Sequence, residues 1–320
     1  MRCYWRSILL VFSFFVCVCE SHAQFDAQVG LYSFLPVAYN PSFVGVDDLM
    51  RLEGMHRRQF IGMNGAPITT FFCFSTPFRV LDTKHGAGVR FLNDRFGLFS
   101  NQALHVQYAY MRQIWGGVLS VGGEMGYINV KFSADSINLK DFEDSYHSSE
   151  DEAIPEGAAI TGMKFDFGFG IYFARREWYV GGSFQHAGYP KVDWSENSDF
   201  HVRGLMCLTG GYHWQTNHPM WRLEPSMLVM SDFRDYDINL TMRAVFLDRF
   251  QGGVSYRIAE NVGFIAGVEV ISGLQIIYTY ELPHSKILRE SSGTHEIYLS
   301  YGFEILRSRH TNRYKSIRYL

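Results

Sequence analysis

Hydrophobic and polar residues alternate one by one along most of the chain. Between Phe165 and Phe173 every second residue is Phe or Ile, and the residues between them are Asp, Gly, Gly and Tyr. The same alternation runs through residues 237–246 and 295–305. Because successive side chains of a β-strand point to opposite faces, these stretches predict strands that have one apolar and one polar face.

Segments with this alternation recur along the chain at lengths of about ten residues. Turn-forming pairs such as Asn93-Asp94 and Ser272-Gly273 separate them. From this pattern we predict about fourteen strands. They lie near residues 51–60, 68–75, 86–93, 103–112, 117–130, 163–174, 177–186, 200–213, 221–230, 236–247, 250–258, 261–270, 273–282 and 294–306.

The composition of the two faces distinguishes a membrane barrel from a soluble β-sandwich, in which the same alternation buries the apolar face and leaves the polar face in water. Here the polar faces carry small residues rather than Lys and Glu, namely Gly122, Gly126, Gly168, Gly170, Gly263, Gly267, Ser300 and Gly302. The apolar faces are nearly free of charge, as lipid contact requires, since a charge at the bilayer midplane costs roughly 2–4 kcal/mol. We therefore predict an all-β fold, a single transmembrane antiparallel outer-membrane β-barrel of about fourteen strands.

The N-terminal residues have the features of a secretory signal. Arg2 and Arg6 precede a short apolar run that ends at Ser-His-Ala, so residues 1–23 are predicted to be a signal peptide. The apolar run is shorter than the roughly 20 residues that a transmembrane helix needs. We therefore expect an exported protein.

The remaining chain divides by its pattern into three parts. Residues 24–50 are predicted to form a periplasmic N-terminal arm and turn, 51–306 the barrel, and 307–320 a basic periplasmic tail. With the N-terminus in the periplasm, connections from odd to even strands are external. The long acidic stretch 133–163 joins the fifth strand to the sixth, so it is predicted to be an external loop.

The net charge and the cysteine content further limit the kinds of protein that this chain can be. The net charge of −3 argues against a nucleic-acid-binding surface. After removal of the predicted signal only Cys73 and Cys207 remain. One disulfide is compatible with this pair, but two unpaired thiols in apolar surroundings are the favoured interpretation.

The motifs of catalytic and metal sites are missing from the sequence. There is no H-E-x-x-H, C-x-x-C or G-x-S-x-G. The acidic loop could bind calcium, but it lacks the D-x-[DN]-x-[DN]-G spacing, and a solvated loop is favoured. The basic tail could dock a periplasmic partner or simply be a frayed end. We expect no catalytic, cofactor or metal site, with a barrel enzyme such as a lipase or protease as the alternative.

Several charged residues occupy the predicted inner faces. They could tune a pore, or they could pair across the lumen and close it. The second interpretation is favoured because fourteen strands leave only modest internal space. These residues are Glu124, Arg203, Arg243, Arg257 and Glu269.

Several blocks of the sequence, taken in chain order, resemble those of one known family. They are QFDAQVGLYSFLPVAYNPSFVG, HRRQFIGMNGAPITTFF, GAGVRFLNDRFG, WRLEPSMLV, GGVSYR, IIYTYEL and GTHEIYLSYGFEI. In these blocks the chain resembles the PorP/SprF proteins of the type IX secretion system. One departure is Glu281 in IIYTYEL, where the family pattern leads us to expect Asp.

The resemblance implies an outer-membrane barrel of the type IX secretion system, an export route linked to gliding motility in some Gram-negative bacteria. Such proteins are not enzymes and use no cofactor; they scaffold periplasmic machinery, anchor an exported surface protein, or both. The implied partners are periplasmic and outer-membrane secretion-system proteins, the exported substrate protein and outer-membrane lipid, but no nucleic acid. A passive outer-membrane channel or an apolar-solute transporter is the alternative function.

The resemblance supplies no catalytic, cofactor-binding or metal-binding residue. Its matching positions imply structural or interaction roles instead. These family-motif residues are Asn40, Pro41, Gly45, Arg57, Gln59, Pro67, Asn93, Asp94, His295 and Glu296.

The stretch AYNPSFVG predicts a bend shortly before the first strand. Proline fixes its own φ angle and disfavours helix at the preceding residue, here Asn40 before Pro41. Gly45 permits a backbone conformation that other residues resist. We therefore expect this bend to turn the N-terminal arm against the barrel mouth or into the lumen as a plug.

Overall fold

The computed structural model describes residues 26–133, 159–193, 199–284 and 286–303. Most of these residues lie in β-strands, with single turns of 3₁₀ helix at Pro36–Ala38, Pro41–Phe43 and Lys286–Arg289. The strands are β1 (Met50–Arg58), β2 (Ile68–Val80), β3 (Thr83–Phe96), β4 (Phe99–Ile114), β5 (Gly117–Ser133), β6 (Ala159–Ala174), β7 (Trp178–Gln185), β8 (Lys191–Asp193), β9 (Asp199–His201), β10 (Leu205–Tyr212), β11 (Trp214–Gln215), β12 (Trp221–Ser231), β13 (Tyr236–Phe246), β14 (Phe250–Arg257), β15 (Asn261–Ile271), β16 (Leu274–Pro283) and β17 (Thr294–Phe303). Within this described part of the chain, no helix is long and apolar enough to span a membrane.

Fourteen of the strands form one closed antiparallel barrel. Neighbouring strands pair in chain order from β1 to β7, then β7 pairs with β10, β10 with β12, and the order continues to β17. The barrel closes because β17 also pairs with β1, in a register that sets Glu296 opposite Arg57. Strands β8 and β9 form a separate small ribbon, and β11 extends the edge of β12. The predicted all-β barrel of fourteen strands is confirmed.

Each barrel strand overlaps one predicted segment, and the clearest difference lies at residues 200–213. The alternation there predicts one strand, whereas the structure has β9 and β10 with a break between them. Val202 lies in this break, is only 1% exposed, and packs in a cluster with Ile128 and Val130 of β5. Burial of this apolar side chain in the lumen interrupts the extended run.

The apolar faces of the strands point outwards and the polar faces point into the lumen. On β6, Phe165, Phe167, Phe169 and Ile171 are each at least 41% exposed, whereas Asp166 is 1% exposed. A soluble sandwich would show the reverse, and the outward apolar belt is the surface that a barrel presents to lipid. Other outward residues are Phe72, Leu104, Val106, Met125, Phe264 and Leu299.

The two ends of the barrel differ in their connections. Residues 81–82, 115–116 and 272–273 form two-residue turns at the end where β1 begins and β17 ends, which we call the turn end. Longer connections, such as residues 59–67 and the segment between β7 and β10, lie at the opposite end, which we call the loop end. β5 ends at Ser133 and β6 begins at Ala159, both at the loop end, so the last five residues of the loop predicted at 133–163 belong to β6.

Residues 26–46 lie inside the barrel, and we call them the plug. Leu31, Leu35 and Val44 are fully buried, in one cluster with inward apolar side chains such as Phe71. Residues 26–46 of the segment predicted as an arm (24–50) therefore pack against the inner faces of the barrel strands. Burial of each large aliphatic side chain contributes roughly 1.5–3 kcal/mol, which favours this position over a solvated arm.

The connection from β7 to β10 also folds into the lumen, at the loop end. Its β8–β9 ribbon sets Val192 against Ile128 and Val130, and none of the three is more than 2% exposed. His186 begins this inward turn with a φ angle of 54°, which is uncommon for a residue that has a side chain. The plug and this connection together fill much of the described lumen.

Some of the predicted features lie outside the described residues. They are the signal peptide 1–23, residues 134–158 of the acidic loop and the basic tail 307–320. Both remaining cysteines are described: Cys73 and Cys207 are buried and not disulfide-bonded, as predicted.

Candidate functional site

The plug runs the length of the lumen from the loop end to the turn end. Its first described residue, Asp26, contacts His186 just beyond β7 at the loop end. Its last residue, Val46, accepts a hydrogen bond from the ammonium group of Lys84 beside the β2–β3 turn. The described N-terminus therefore faces the loop end, opposite the end at which β1 begins.

Arg57 of β1 is the centre of a buried charge cluster near the loop end. Its guanidinium donates to Glu281 and Glu296 over N–O distances of 2.7–2.9 Å. Glu296 also accepts hydrogen bonds from the backbone N–H groups of Gly30 (2.9 Å) and Leu31 (3.0 Å). The three charged side chains are at most 2% exposed, and we call them the seam cluster. It ties the plug backbone to the seam between the first and last strands.

Arg257 of β14 binds the same part of the plug. It donates from Nη1 to the side-chain oxygen of Gln28 (2.7 Å) and from Nη2 to the carbonyl of Val29 (3.4 Å). Its Nε lies 3.4 Å from Asp237 on the neighbouring strand β13. A guanidinium buried this deeply needs several acceptors to offset its lost hydration, and the plug supplies two of them.

On the opposite wall, polar side chains of β3 to β5 bind carbonyl groups of the plug. Arg90 donates to the carbonyl of Ala38 (2.8 Å) and to Glu124 (2.9 Å). Gln107 donates to the carbonyl of Val37 (3.0 Å) and to the other oxygen of Glu124 (2.8 Å). The wall thus satisfies backbone groups of a segment that has no strand partner of its own.

His186 links the plug to β6. Its Nε2 lies 3.0 Å from Asp26 and its Nδ1 2.9 Å from Asp166, which also bonds to His105 at 2.8 Å. Burial disfavours the imidazolium, but Asp26 and Asp166 outweigh burial and raise the pKa of His186 to about 10. His186 is therefore a cation at neutral pH that bridges two carboxylates.

Asn40, the central residue of AYNPSFVG, uses its whole side chain to hold the plug bend. Its Oδ1 accepts from the backbone N–H (3.0 Å) and the hydroxyl (2.6 Å) of Ser42. Its Nδ2 donates to the carbonyls of Ile171 (3.1 Å) on β6 and Gly182 (3.2 Å) on β7. Pro41 then begins a 3₁₀ turn, which its fixed φ angle suits. Asn40 thus joins a local turn to two strands of the wall.

Glycines allow close approach of the plug to the wall. Gly45 has a φ angle of 71°, and a Cβ there would lie 2.7 Å from Cα of Gly86 on β3. A Cβ on Gly122 of β5 would lie 2.6 Å from the backbone of Ser42. The small residues predicted on the inner faces therefore include positions against which the plug backbone rests.

Three of the predicted lumen charges form ion pairs beside the plug. Arg243 pairs with Glu224 near the turn end, and its guanidinium lies 4.1 Å from the ring centroid of Phe34 in the plug. Arg257 and Glu124 have the plug contacts described above. Each of these ion pairs joins neighbouring or next-neighbouring strands of one wall, and not residues across the lumen as predicted; the plug lies between the walls.

The other two predicted lumen charges lie away from the plug. Arg203 pairs with Asp232 at 2.8 Å near the loop end. Glu269 accepts a hydrogen bond from the backbone N–H of Gly273 (2.9 Å) in the β15–β16 turn.

The five remaining family-motif residues, Gln59, Pro67, Asn93, Asp94 and His295, have local partners. The backbone N–H of Gln59 donates to the carbonyl of Pro67 (2.9 Å) and closes the β1–β2 connection. His295 bonds through its imidazole to the hydroxyl of Tyr278 on β16. Asn93 and Asp94 face opposite sides of β3.

Asn93 lies on the outer side of β3, where its side-chain oxygen accepts from Gln102 (3.2 Å). Asp94 is buried on the inner side and accepts from the hydroxyl of Thr69 (2.6 Å). Thus only some of the family-motif residues lie together. Arg57 bonds to Glu296, whereas Asn93 and Asp94 bond to Gln102 and Thr69.

The sequence prediction missed several residues that hold the plug, among them Arg90, Asp166, His186 and Glu281. Arg90, Asp166 and Glu281 are charged residues on the polar faces of predicted strands. The alternation could therefore have identified them as residues that point into the lumen. His186 lies just beyond β7, where no alternation marks its direction.

A cavity of about 50 Å³ remains between the plug and the wall of β2 to β5. Asp26, Tyr39, Asp94, Asn101 and His105 contribute to its lining. This volume accommodates a few water molecules but no larger solute. Among the described side chains, no group of three or more His, Cys, Asp or Glu is arranged to hold a metal ion. The arrangement is suited to holding a segment in place.

Comparisons with known proteins found a matching family model and several similar solved structures. The family model of the type IX secretion system membrane protein PorP/SprF matches residues 21–301. Among curated sequences no significant match was found. The chain is similar in structure to the toluene transporter TbuX of Ralstonia pickettii, with 9% identity, a TM-score of 0.48, and coverage of 84% of this chain and 92% of that one.

Two further solved structures are similar at comparable levels. The toluene transporter TodX of Pseudomonas putida has 9% identity and a TM-score of 0.46, with 87% of this chain and 94% of that one covered. A mutant porin of Rh. blastica has 7% identity and a TM-score of 0.34, with 79% and 99% covered. Each similarity concerns overall architecture alone. The family match, by contrast, spans the plug and nearly all of the barrel. The chain therefore belongs to the PorP/SprF family of type IX secretion system membrane proteins and is a β-barrel of the outer membrane.

Proposed function

We propose that this protein is a closed scaffold of the type IX secretion system, which binds partners at the two ends of its barrel instead of passing solutes through it. The observation that supports this proposal is the plug. Residues 26–46 cross the lumen and bond to opposite walls, through Glu296 on one side and Arg90 on the other. A conducting barrel needs a continuous aqueous path, and the plug occupies the described part of that path.

The plug and the wall share charges that are costly to separate. Withdrawal of the plug would take two backbone donors from Glu296 and one carboxylate from His186. Loss of one partner from a buried ion pair costs about 3–5 kcal/mol, and each stranded polar group adds about 1–3 kcal/mol. The occupied lumen is therefore the stable state.

The asymmetry of the barrel supports different partners at its two ends. Outer-membrane barrels have short turns in the periplasm and longer loops outside. On this basis the turn end, with the basic tail 307–320 that follows β17, faces periplasmic secretion machinery. The loop end, with the acidic stretch 133–163, faces the exported surface protein.

Reconstitution into planar lipid bilayers tests whether the lumen is closed. We expect no steady conductance from the wild type. A variant in which a Gly/Ser linker of equal length replaces residues 26–46 keeps the chain length but loses the plug contacts, and it is expected to conduct. Steady wild-type conductance as large as that of the linker variant would contradict the closed scaffold and favour the passive channel.

Deletion of the gene, followed by comparison of all secreted proteins, tests the scaffold role. Loss of every exported substrate would identify a component that the whole system needs, and loss of a single surface protein would identify a dedicated partner. Restoration by the wild-type gene is the control. An unchanged set of secreted proteins would refute the proposal.

A further inference from the structure

The outer surface at the turn end carries cations that have no role in holding the plug. Arg112 is exposed and ends the lipid-facing row of β4, after Leu104, Val106, Tyr108 and Tyr110. The row changes from apolar to aromatic to cationic towards the turn end. This order is expected where a strand leaves the hydrocarbon core and reaches the lipid head groups.

Arg175 directly follows β6 at the same end of the barrel, two residues beyond Phe173, which is level with Arg112 in the register of β4, β5 and β6. Its side chain lies across Gly117 of β5, where a Cβ would be 3.1 Å from Cγ of Arg175 and 2.7 Å from the ring of Phe173. Its Nη2 donates to the carbonyl of Trp115 in the β4–β5 turn (2.6 Å). Glycine at position 117 thus lets the side chain of Arg175 lie over β5, the strand between β6 and the strand that carries Arg112.

Aromatic rings mark the membrane depth of these cations. Trp115 is 78% exposed, and its ring centroid lies 6.4 Å from that of Phe173, which in turn lies 5.6 Å from that of Trp178. Trp214 and Trp221 lie at the same end of the barrel. Tryptophan is enriched where a bilayer meets water, so Arg112 and Arg175 are at head-group level rather than in the hydrocarbon core.

Carboxylates do not neutralise the cluster. Within the described ranges, no ion pair joins Arg112, Arg175 or the adjacent Arg176 to an acidic residue. Glu177, the acidic residue of the same turn, is directed towards the hydroxyl of Tyr212 on β10, 3.5 Å away. The cations therefore lie at the outer surface, and the part of the chain that the structure describes does not compensate their charge.

A surface recess lies between the β4–β5 and β6–β7 turns, beside these cations. Its volume is about 520 Å³, within the range of pockets that bind small molecules. Residues that line it include Ile114, Trp115, Gly117, Ala174, Arg175 and Arg176. Arg112 is not part of this lining; it lies beside the recess on β4, next to the lining residue Gln113. One side of the recess is apolar or aromatic and the other is cationic.

We propose that this recess binds the phosphate of a phospholipid head group from the periplasmic leaflet. Arg112 and Arg175 donate to the phosphate oxygens, and Trp115 packs against the glycerol and the adjoining acyl chains. The inference goes beyond the scaffold role and does not require it, although it assigns the turn end to the periplasm. Guanidinium groups suit phosphate because their planar N–H donors match its oxygens two at a time.

The site is expected to prefer an anionic phospholipid. Each Arg or Lys near an anionic membrane surface contributes about 1 kcal/mol of attraction. In a zwitterionic lipid, the positive group of the head group repels these side chains and so reduces the attraction. Phosphatidylglycerol is therefore expected to bind more tightly than phosphatidylcholine.

Native mass spectrometry of the purified barrel, titrated with phosphatidylglycerol in detergent, tests the site. We expect the R112Q/R175Q double variant to bind the lipid about tenfold more weakly than the wild type, a ratio that corresponds to about 1.4 kcal/mol. The matched control is R79Q/R249Q, which removes the same charge from exposed turn-end positions outside the recess, and it should bind as the wild type does. The R112K/R175K variant keeps the positive charges but lacks the planar N–H donors of the guanidinium groups, and it should bind with intermediate affinity.

Several outcomes would overturn the proposal. Equal losses in R112Q/R175Q and R79Q/R249Q would show a general charge effect, and no loss in either would show that the recess is not used. Displacement of the lipid by inorganic phosphate would assign the recess to free phosphate, and tighter binding of lipid A would assign it to the other leaflet. Heat-modifiable gel mobility shows whether each variant retains its barrel, and the scaffold proposal stands or falls separately by its own secretion test.

Discussion

Arg57 and Glu296 are register partners on the first and last strands, and their side chains form an ion pair of 2.7 Å at the seam of the barrel. The same Glu296 carboxylate accepts the backbone N–H groups of Gly30 and Leu31. One side chain therefore takes part both in closing the barrel and in holding the plug. Because the pair is buried, a change in its charge affects both functions.

The Glu296→Gln substitution is expected to loosen the plug while the barrel persists. It removes the charge that pairs with Arg57, at a cost of about 3–5 kcal/mol, whereas the backbone pairing of β1 with β17 does not depend on it. The measurement is the rate at which a thiol reagent modifies a cysteine introduced in the plug as Ser33→Cys. That rate should rise in the Glu296→Gln background.

The matched control for this experiment is Glu177→Gln, which removes a carboxylate from an exposed turn. It should leave the modification rate unchanged. Equal rates in the wild-type and Glu296→Gln backgrounds would contradict the role given to the seam cluster.

Asn40→Asp is expected to impair docking of the plug bend. The variant keeps the acceptor that caps Ser42 but loses the N–H donors to the carbonyls of Ile171 and Gly182, and it buries a new charge. Export should fall while insertion into the outer membrane, measured by fractionation and heat-modifiable mobility, continues. Asn64→Asp, in an exposed loop, is the control. Normal secretion by the Asn40→Asp variant would count against a functional plug.

Gly122→Ala tests whether the plug needs the small residues of the wall. The added methyl would meet the Ser42 backbone at 2.6 Å, and such overpacking typically costs about 1–3 kcal/mol. The variant should show intermittent conductance in planar bilayers. Gly252→Ala, whose methyl would meet its nearest neighbour only at 4.0 Å, should remain as silent as the wild type. Identical records for the two variants would contradict a tight contact at this position.

Alkaline pH is expected to weaken the contact between the plug and β6. The pKa of His186 is raised to about 10 by Asp26 and Asp166 against the effect of burial, from about 6.5 in an unfolded chain. Its ion pairs therefore stabilise the folded protein fully below about pH 6.5, and this stabilisation is lost as pH rises through about 10. The temperature of the heat-modifiable transition should fall more steeply over this interval in the wild type than in His186→Gln.

The difference between wild type and His186→Gln should amount to a few kcal/mol, since each pKa unit corresponds to about 1.4 kcal/mol. His218→Gln, at an exposed turn, is the control and should follow the wild type. If His186→Gln and the wild type lose stability in parallel, the imidazolium does not contribute as proposed.

The barrel could be predicted from the sequence because its determinant is local. An alternation such as that of Phe165 to Phe173 specifies both a strand and its lipid-facing side, and the outward exposure of these Phe side chains follows it. The small inner residues, such as Gly122, also followed from the same alternation. Strand ends were less predictable, and at Val202 burial in the lumen overrode the local pattern.

The plug could be stated only as an alternative because its determinants are not local. Residues 26–46 have no alternation, and nothing near Asn40 in the sequence indicates that its amide bonds to carbonyls of β6 and β7. Contact of Arg57 with Glu296 likewise depends on the register at which the sheet closes. Both residues belong to the family motif, which indicated a shared role. The motif did not indicate that their side chains are in contact.

The position of the plug at the start of the chain constrains how the protein assembles. Gly30 and Glu296, which bond to each other, are separated by 266 residues. The plug precedes every described strand in the chain, yet this contact needs β17, the last of the described strands, to be in place beside it. Formation of such a distant contact is entropically slow, so locking of the plug and completion of the barrel are one late kinetic event. We therefore expect the barrel to close around its lumen segment, without a separate plugging step after closure.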